Sequence, residues 1–113
     1  MVYGTPRPVQ IIPSVLPADW ANMGGECKRL EDAGVDRIQF DVMDGNFVPN
    51  LTFGPELIAA CRKYTSVPFE TQLMVSNYNC VRKMQSCNVF VLSLVTFVAD
   101  GQERVIPREM FCL

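Results

Sequence analysis

The sequence contains no histidine anywhere in its 113 residues. That removes the side chain most used as a neutral-pH acid or base and the commonest ligand for transition metals. Its five cysteines, Cys27, Cys61, Cys80, Cys87 and Cys112, are odd in number and form no C-x-x-C pair. A zinc site needs four such ligands or added histidine, so the cysteines read as reduced thiols, mostly buried as small apolar residues. Basic clusters are missing too, and the formal charge is -2, which gives no long-range attraction for nucleic acid or anionic membrane. The longest apolar run, CNVFVLSLVTFV from Cys87 to Val98, has 12 residues, too few for a membrane-spanning helix. The first ten residues, MVYGTPRPVQ, carry two prolines and no apolar core, unlike a secretory signal. The chain therefore reads as soluble and cytoplasmic. No repeat, low-complexity tract or linker divides it.

What is present is an ordinary globular composition, 49% hydrophobic and 19% charged, enough for one small domain with one core. Val9–Leu16, VQIIPSVL, is rich in β-branched residues and predicts a strand, with Pro13 at an edge or bend. Asp19 can cap a helix, and Trp20, Met23, Cys27 and Leu30 recur at helical spacing as its core stripe. Gly34 is the expected stop. Arg37–Met43 predicts a second strand and Asp44–Gly54 a loop. Pro55 suits a helix's first turn, with Leu57, Ile58, Cys61 and Tyr64 as its apolar face. Beyond Pro68, Phe69–Val75 predicts a third strand, Tyr78–Gln85 a short helix and Val89–Val95 a fourth strand. Strands alternating with helices at this spacing predict an α/β fold with a parallel sheet. From Thr96 the pattern has no clear period; a turn at Ala99-Asp100-Gly101 is the one feature expected there.

Three stretches then stand out: IIPSVLPADWANMGGE at Ile11–Glu26, FDVMDGNFVPNLTFGP at Phe40–Pro55, and QLMV at Gln72–Val75. Together they resemble the ribulose-phosphate 3-epimerases, over about residues 9 to 95. The resemblance implies a (β/α)8 TIM barrel that interconverts ketopentose phosphates by moving a proton beside a ketone. It implies two aspartates as acid and base, and a divalent metal held by those aspartates and two histidines. The physics of the reaction agrees, because charge developing on the ketone oxygen must be stabilised. Barrel active sites lie at the C-terminal ends of the strands. Asp41 and Gln72 fall at or near such ends in the strand assignment alone.

Carried over by the resemblance, Asp41 matches the first catalytic aspartate, and the only metal ligand this chain retains. Ser14, Met43 and Met74 match substrate-facing positions. Gln39 and Gln72 stand where the two metal histidines are expected, and Ser93 and Val95 stand where the family shows His-x-Glu. An amide oxygen is a much weaker ligand than imidazole, so tight metal binding is not expected. The repeated glutamine fits a selected change; it also fits a polar filler of about the right length. Asp44 reads as a loop-shaping residue with Gly45.

The chain is thus expected to be a partial barrel of about four βα units over residues 1–95, with a divergent tail over 96–113. The second aspartate is missing from it. Three readings follow: an epimerase relative, truncated and impaired; a metal-free sugar-phosphate binder using Gln39, Asp41 and Gln72; or an interaction fragment. Open sheet edges imply a homo-oligomer or pairing with another barrel half.

Overall fold

A computed structural model describes residues 8–76 and the backbone of 90–91, 96–99 and 102–105. Asp19 accepts a hydrogen bond from the Ala21 N–H and opens a 3-10 turn, Trp20–Asn22, that runs into helix α1, Met23–Asp32. Helix α1 stops at Gly34, which takes φ 85°, the left-handed conformation expected of a helix-ending glycine. Strand β1 is Ile38–Met43. Helix α2, Pro55–Cys61, starts on its proline and tightens into a 3-10 turn, Arg62–Tyr64. Strand β2 is Phe69–Met74, and β3 is Phe90–Val91. These strands form a parallel sheet in chain order, β1-β2-β3, which establishes the α/β class. Four complete βα units are not seen: β3 is two residues long, and the helix expected over Tyr78–Gln85 lies outside the described residues.

The expected first strand shrinks to a single parallel bridge, Ser14 to Gln39. The reason lies in two prolines. The Gln39 N–H donates to Pro13 O at 2.9 Å, and the Val15 N–H donates to Gln39 O at 3.1 Å. Continuing that ladder in either direction requires an N–H at position 13 or 17, and proline has none. Asp41 O, which residue 17 would have paired, instead accepts the Thr52 hydroxyl at 2.8 Å.

The core lies between this sheet and the two helices. β1 and β2 send Ile38, Phe40, Val42, Phe69 and Leu73 to one face, where they meet Met23 and Cys27 of α1 and Ile58 and Cys61 of α2. Phe40 stands edge-on to both Phe69 and Phe53, at centroid distances of 4.8 and 5.9 Å. Cys27 and Cys61 are buried free thiols, as the composition implied; burial, with Cys61 beside it, pushes Cys27 up to about 12.

Two expected core residues are not in the core. Trp20 is 43% exposed and Tyr64 is 48% exposed. Both sit in 3-10 turns at helix ends, where the helical stripe no longer points inward. Trp20 donates its indole N–H to Leu16 O and lies edge-on to Phe53. The Tyr64 ring lies against Gly24, where a Cβ would come within 2.5 Å of it, so Gly24 permits a close approach.

The tail is more regular than its sequence implied. Strands β4, Thr96–Ala99, and β5, Gln102–Val105, form a separate antiparallel pair. Ala99 pairs with Gln102; of the turn expected at Ala99-Asp100-Gly101, residues 100 and 101 lie outside the described residues.

Candidate functional site

Side chains alternate along a strand, so the face opposite the core carries Gln39, Asp41 and Met43 from β1 and Glu70, Gln72 and Met74 from β2. Asp41 pairs in register with Gln72, and Met43 with Met74. Ser14 joins them across its bridge to Gln39. The six residues singled out by sequence, Ser14, Gln39, Asp41, Met43, Gln72 and Met74, are thus gathered from three adjacent segments of the sheet. Ser93 and Val95 lie outside the described residues.

Asp41 is the buried centre, 7% exposed. Its Oδ2 accepts the Ser14 hydroxyl, and Ser14 Oγ in turn accepts the Leu16 N–H at 3.1 Å. Its Oδ1 accepts Gln39 Nε2 at 2.9 Å, and the same nitrogen donates to Gln72 Oε1 at 2.9 Å. One continuous hydrogen-bonded line therefore runs Ser14–Asp41–Gln39–Gln72.

The rim was only partly legible. Asp44 does shape its loop: Oδ1 accepts the N–H groups of Asn46 and Phe47 at 2.9 and 2.8 Å. Its Oδ2 accepts the N–H and hydroxyl of Ser76 at 2.8 and 3.0 Å, which ties the loop after β1 to the end of β2. Partial desolvation works against the charge, but these four donors hold the carboxyl down at about 2. Gly45 follows at φ 70°, a left-handed turn. Thr52 closes the loop by accepting the Met43 N–H at 2.9 Å while donating to Asp41 O. Ser76 and Thr52 had no signal in the sequence, because Thr52 acts only once the loop folds back on β1 and Ser76 only once β2 lies beside β1. Glu70, on the same face, was also missed. Arg37 stands 3.8 Å from its Oε2, which has no hydrogen-bond partner among the described residues.

A divalent metal, which the resemblance implies, does not fit these residues. Both oxygens of Asp41 already accept protein donors, and Gln39 turns an N–H rather than a lone pair toward it. Among the described residues no three His, Cys, Asp or Glu side chains come together as a ligand set. No helix among them is long and apolar enough to cross a membrane.

Comparison with known proteins shows the family. The profile of the ribulose-phosphate 3 epimerase family matches residues 10–102. The chain is 49% identical over 70 residues to the ribulose-phosphate 3-epimerase of Rhodobacter capsulatus, covering 62% of this chain and 31% of that one. It is 42% identical over 98 residues to the enzyme of the same name from Chlamydia pneumoniae, covering 87% of this chain and 38% of that one. With the Buchnera aphidicola enzyme of that name the identity is 51% over 63 residues, 55% of this chain and 28% of the relative. The chain thus spans about a third of the length of the curated relatives it matches. With the family's profile covering most of its length, this chain belongs to the ribulose-phosphate 3-epimerase family.

Proposed function

We propose that this chain binds a ketopentose phosphate against the polar face of β1 and β2, and that Asp41 exchanges the proton on the carbon beside the ketone. The observation that carries the reading is the burial of Asp41 with both oxygens held by oriented donors. A carboxylate so placed is fixed within reach of a bound carbon acid, as general base catalysis requires. Ser14, Gln39 and Gln72 bond the sugar's oxygens, and Met43 and Met74 pack against its carbon chain. Residues 1–95 form the N-terminal part of a (β/α)8 barrel in this reading, and 96–113 a separate tail. The succession of the Ser14 bridge, β1, β2 and β3 as parallel neighbours in chain order supports it. The exposed segment at Val9 and Ile11 is where a further strand or a second copy adds.

Inversion needs a second acid–base group on the opposite face of the sugar, and Asp41 is alone among the described residues in matching one. The 113-residue chain is therefore expected to exchange the proton without net epimerisation, and without tightly held transition metal. The test is ribulose 5-phosphate incubated with the protein in deuterated buffer and followed by NMR at carbon 3. Deuterium incorporation that disappears in Asp41→Asn supports the reading. Exchange that survives this substitution overturns it. Binding with no exchange at all leaves a sugar-phosphate binder, which the closed hydrogen-bonded line over Asp41 also fits.

A further inference from the structure

Resting on the sugar-phosphate reading, we propose that Gln72 donates a hydrogen bond from Nε2 to the ketone oxygen of the ligand, doing with an N–H what a metal would do with a positive charge. The direction of the hydrogen-bonded line decides this. A carboxylate accepts and does not donate, so the branch of Gln39 that meets Asp41 Oδ1 is its nitrogen. That nitrogen has two hydrogens, and the second goes to Gln72 at 2.9 Å, which must present its oxygen. Gln72 Nε2 is then the branch turned away from the line, and among the described residues it has no hydrogen-bond partner.

Either amide reversed would break the line. Reversing Gln39 sets its oxygen against the Asp41 carboxylate, and reversing Gln72 sets two NH2 groups face to face. The polarity is therefore propagated from Asp41, through Gln39, to Gln72. A histidine at position 72 would offer a lone pair to a cation; the glutamine held this way offers a donor to an oxygen. Gln72 pairs in register with Asp41 on the neighbouring strand, so the donor and the proton acceptor stand side by side on one face. A carbon acid needs this pair, a base for its proton and a donor for the oxygen that takes up the charge. Gln39 is a positioning residue in this scheme, and Gln72 the group that touches the ligand.

The test uses the 15N-labelled 113-residue protein, with ribulose 5-phosphate and the corresponding 2-deoxy pentitol phosphate, in which a CH2 group replaces the ketone and no acceptor remains. Ribulose 5-phosphate is expected to shift the Gln72 side-chain amide signals, and the pentitol phosphate to leave them nearly unmoved. Gln72→Leu should lose about tenfold in affinity for the ketone ligand and little for the 2-deoxy ligand, as expected for one hydrogen bond. One equivalent of Mn2+ added without ligand should leave the Gln39 and Gln72 side-chain signals unbroadened. Selective broadening there overturns the donor polarity. Equal shifts with both ligands, or a Gln72→Leu variant that still prefers the ketone, overturn this proposal alone. Failure of either ligand to bind overturns the sugar-phosphate reading and this proposal together.

Discussion

The two faces of the β1–β2 sheet obey different rules. Toward α1 and α2 the strands bury Ile38, Phe40, Val42, Phe69 and Leu73, whose contacts have no direction and depend on filled volume. On the other face Gln39, Asp41 and Gln72 are joined by bonds that run one way only, from donor to acceptor. On the first face a change of size should matter and a change of isostere should not. On the second, a substitution that keeps the shape and swaps a donor for an acceptor should be felt.

The largest expected effect tests the apolar face. Phe40 is fully buried between Phe53 and Phe69, so Phe40→Ala should cost about 3–5 kcal/mol in urea unfolding. Leu73→Met, which nearly conserves volume, should stay under about 1.5 kcal/mol. A Phe40→Ala variant of unchanged midpoint would remove the sheet–helix interface as the core.

The polar face should respond the other way. Gln39→Glu is almost isosteric, yet it sets an acceptor against Asp41 Oδ1 and Gln72 Oε1, both of which take their hydrogen bonds from Gln39. At pH 7 a loss of about 1–3 kcal/mol is expected, recovered in part at acid pH where the new carboxyl can donate. Equal stability of the two proteins at pH 7 would mean the line through Gln39 contributes nothing.

A smaller effect belongs to the rim, where Asp44 joins the two strand ends. Its carboxyl is held at about 2 against an ordinary 3.8, so the folded state binds fewer protons there than the unfolded chain. The sign is that of a depressed acid: the stabilisation is complete above about pH 4 and is lost as pH falls toward 2. Asp44→Asn should cost about 1–2 kcal/mol at pH 7 and flatten the profile between pH 4 and 2. Hydrogen exchange should show faster exchange at the Phe47 and Ser76 amides, with the β1 and β2 amides unchanged. Retained protection at both loop amides would mean Asp44 does not join them.

The smallest effect is the exception on the apolar face. Thr71 is fully buried there, and its Oγ1 has no hydrogen-bond partner among the described residues. Thr71→Val keeps the shape and removes a desolvated hydroxyl, so thermal unfolding should show no loss, or a gain of up to about 1 kcal/mol. A clear loss would reveal a partner for that hydroxyl.

Much of the fold was legible because its boundaries are punctuated. Asp19, Gly34, Pro55 and Pro68 each stop or start an element for a local reason, and α1, β1, α2 and β2 lie within a residue or two of where the pattern puts them once their 3-10 turns are included. The first strand was over-read because apolar, β-branched residues outweighed two prolines whose missing N–H groups matter only when a neighbour is placed beside them. Trp20 and Tyr64 were taken for core because helical spacing was extended through turns that are not α-helical. In the tail only a turn was expected, and its two strands were missed because each has four residues and pairs with the other rather than with the main sheet.

The site divides along the same line. The types and spacing of Ser14, Gln39, Asp41 and Gln72 are local facts, and the sequence alone determined that the chain carries a carboxylate and two amides, and no histidine, at these positions. Only the tertiary structure decided which atom of each amide faces which neighbour. That choice depends on Asp41 lying within 2.9 Å of Gln39 Nε2 on the same strand, and on Gln72 standing 2.9 Å from that nitrogen on a strand far apart in the chain. A glutamine carries a donor and an acceptor on one carbon and is indifferent between them until a charged neighbour is placed beside it. Here that neighbour is a carboxylate, which can only accept.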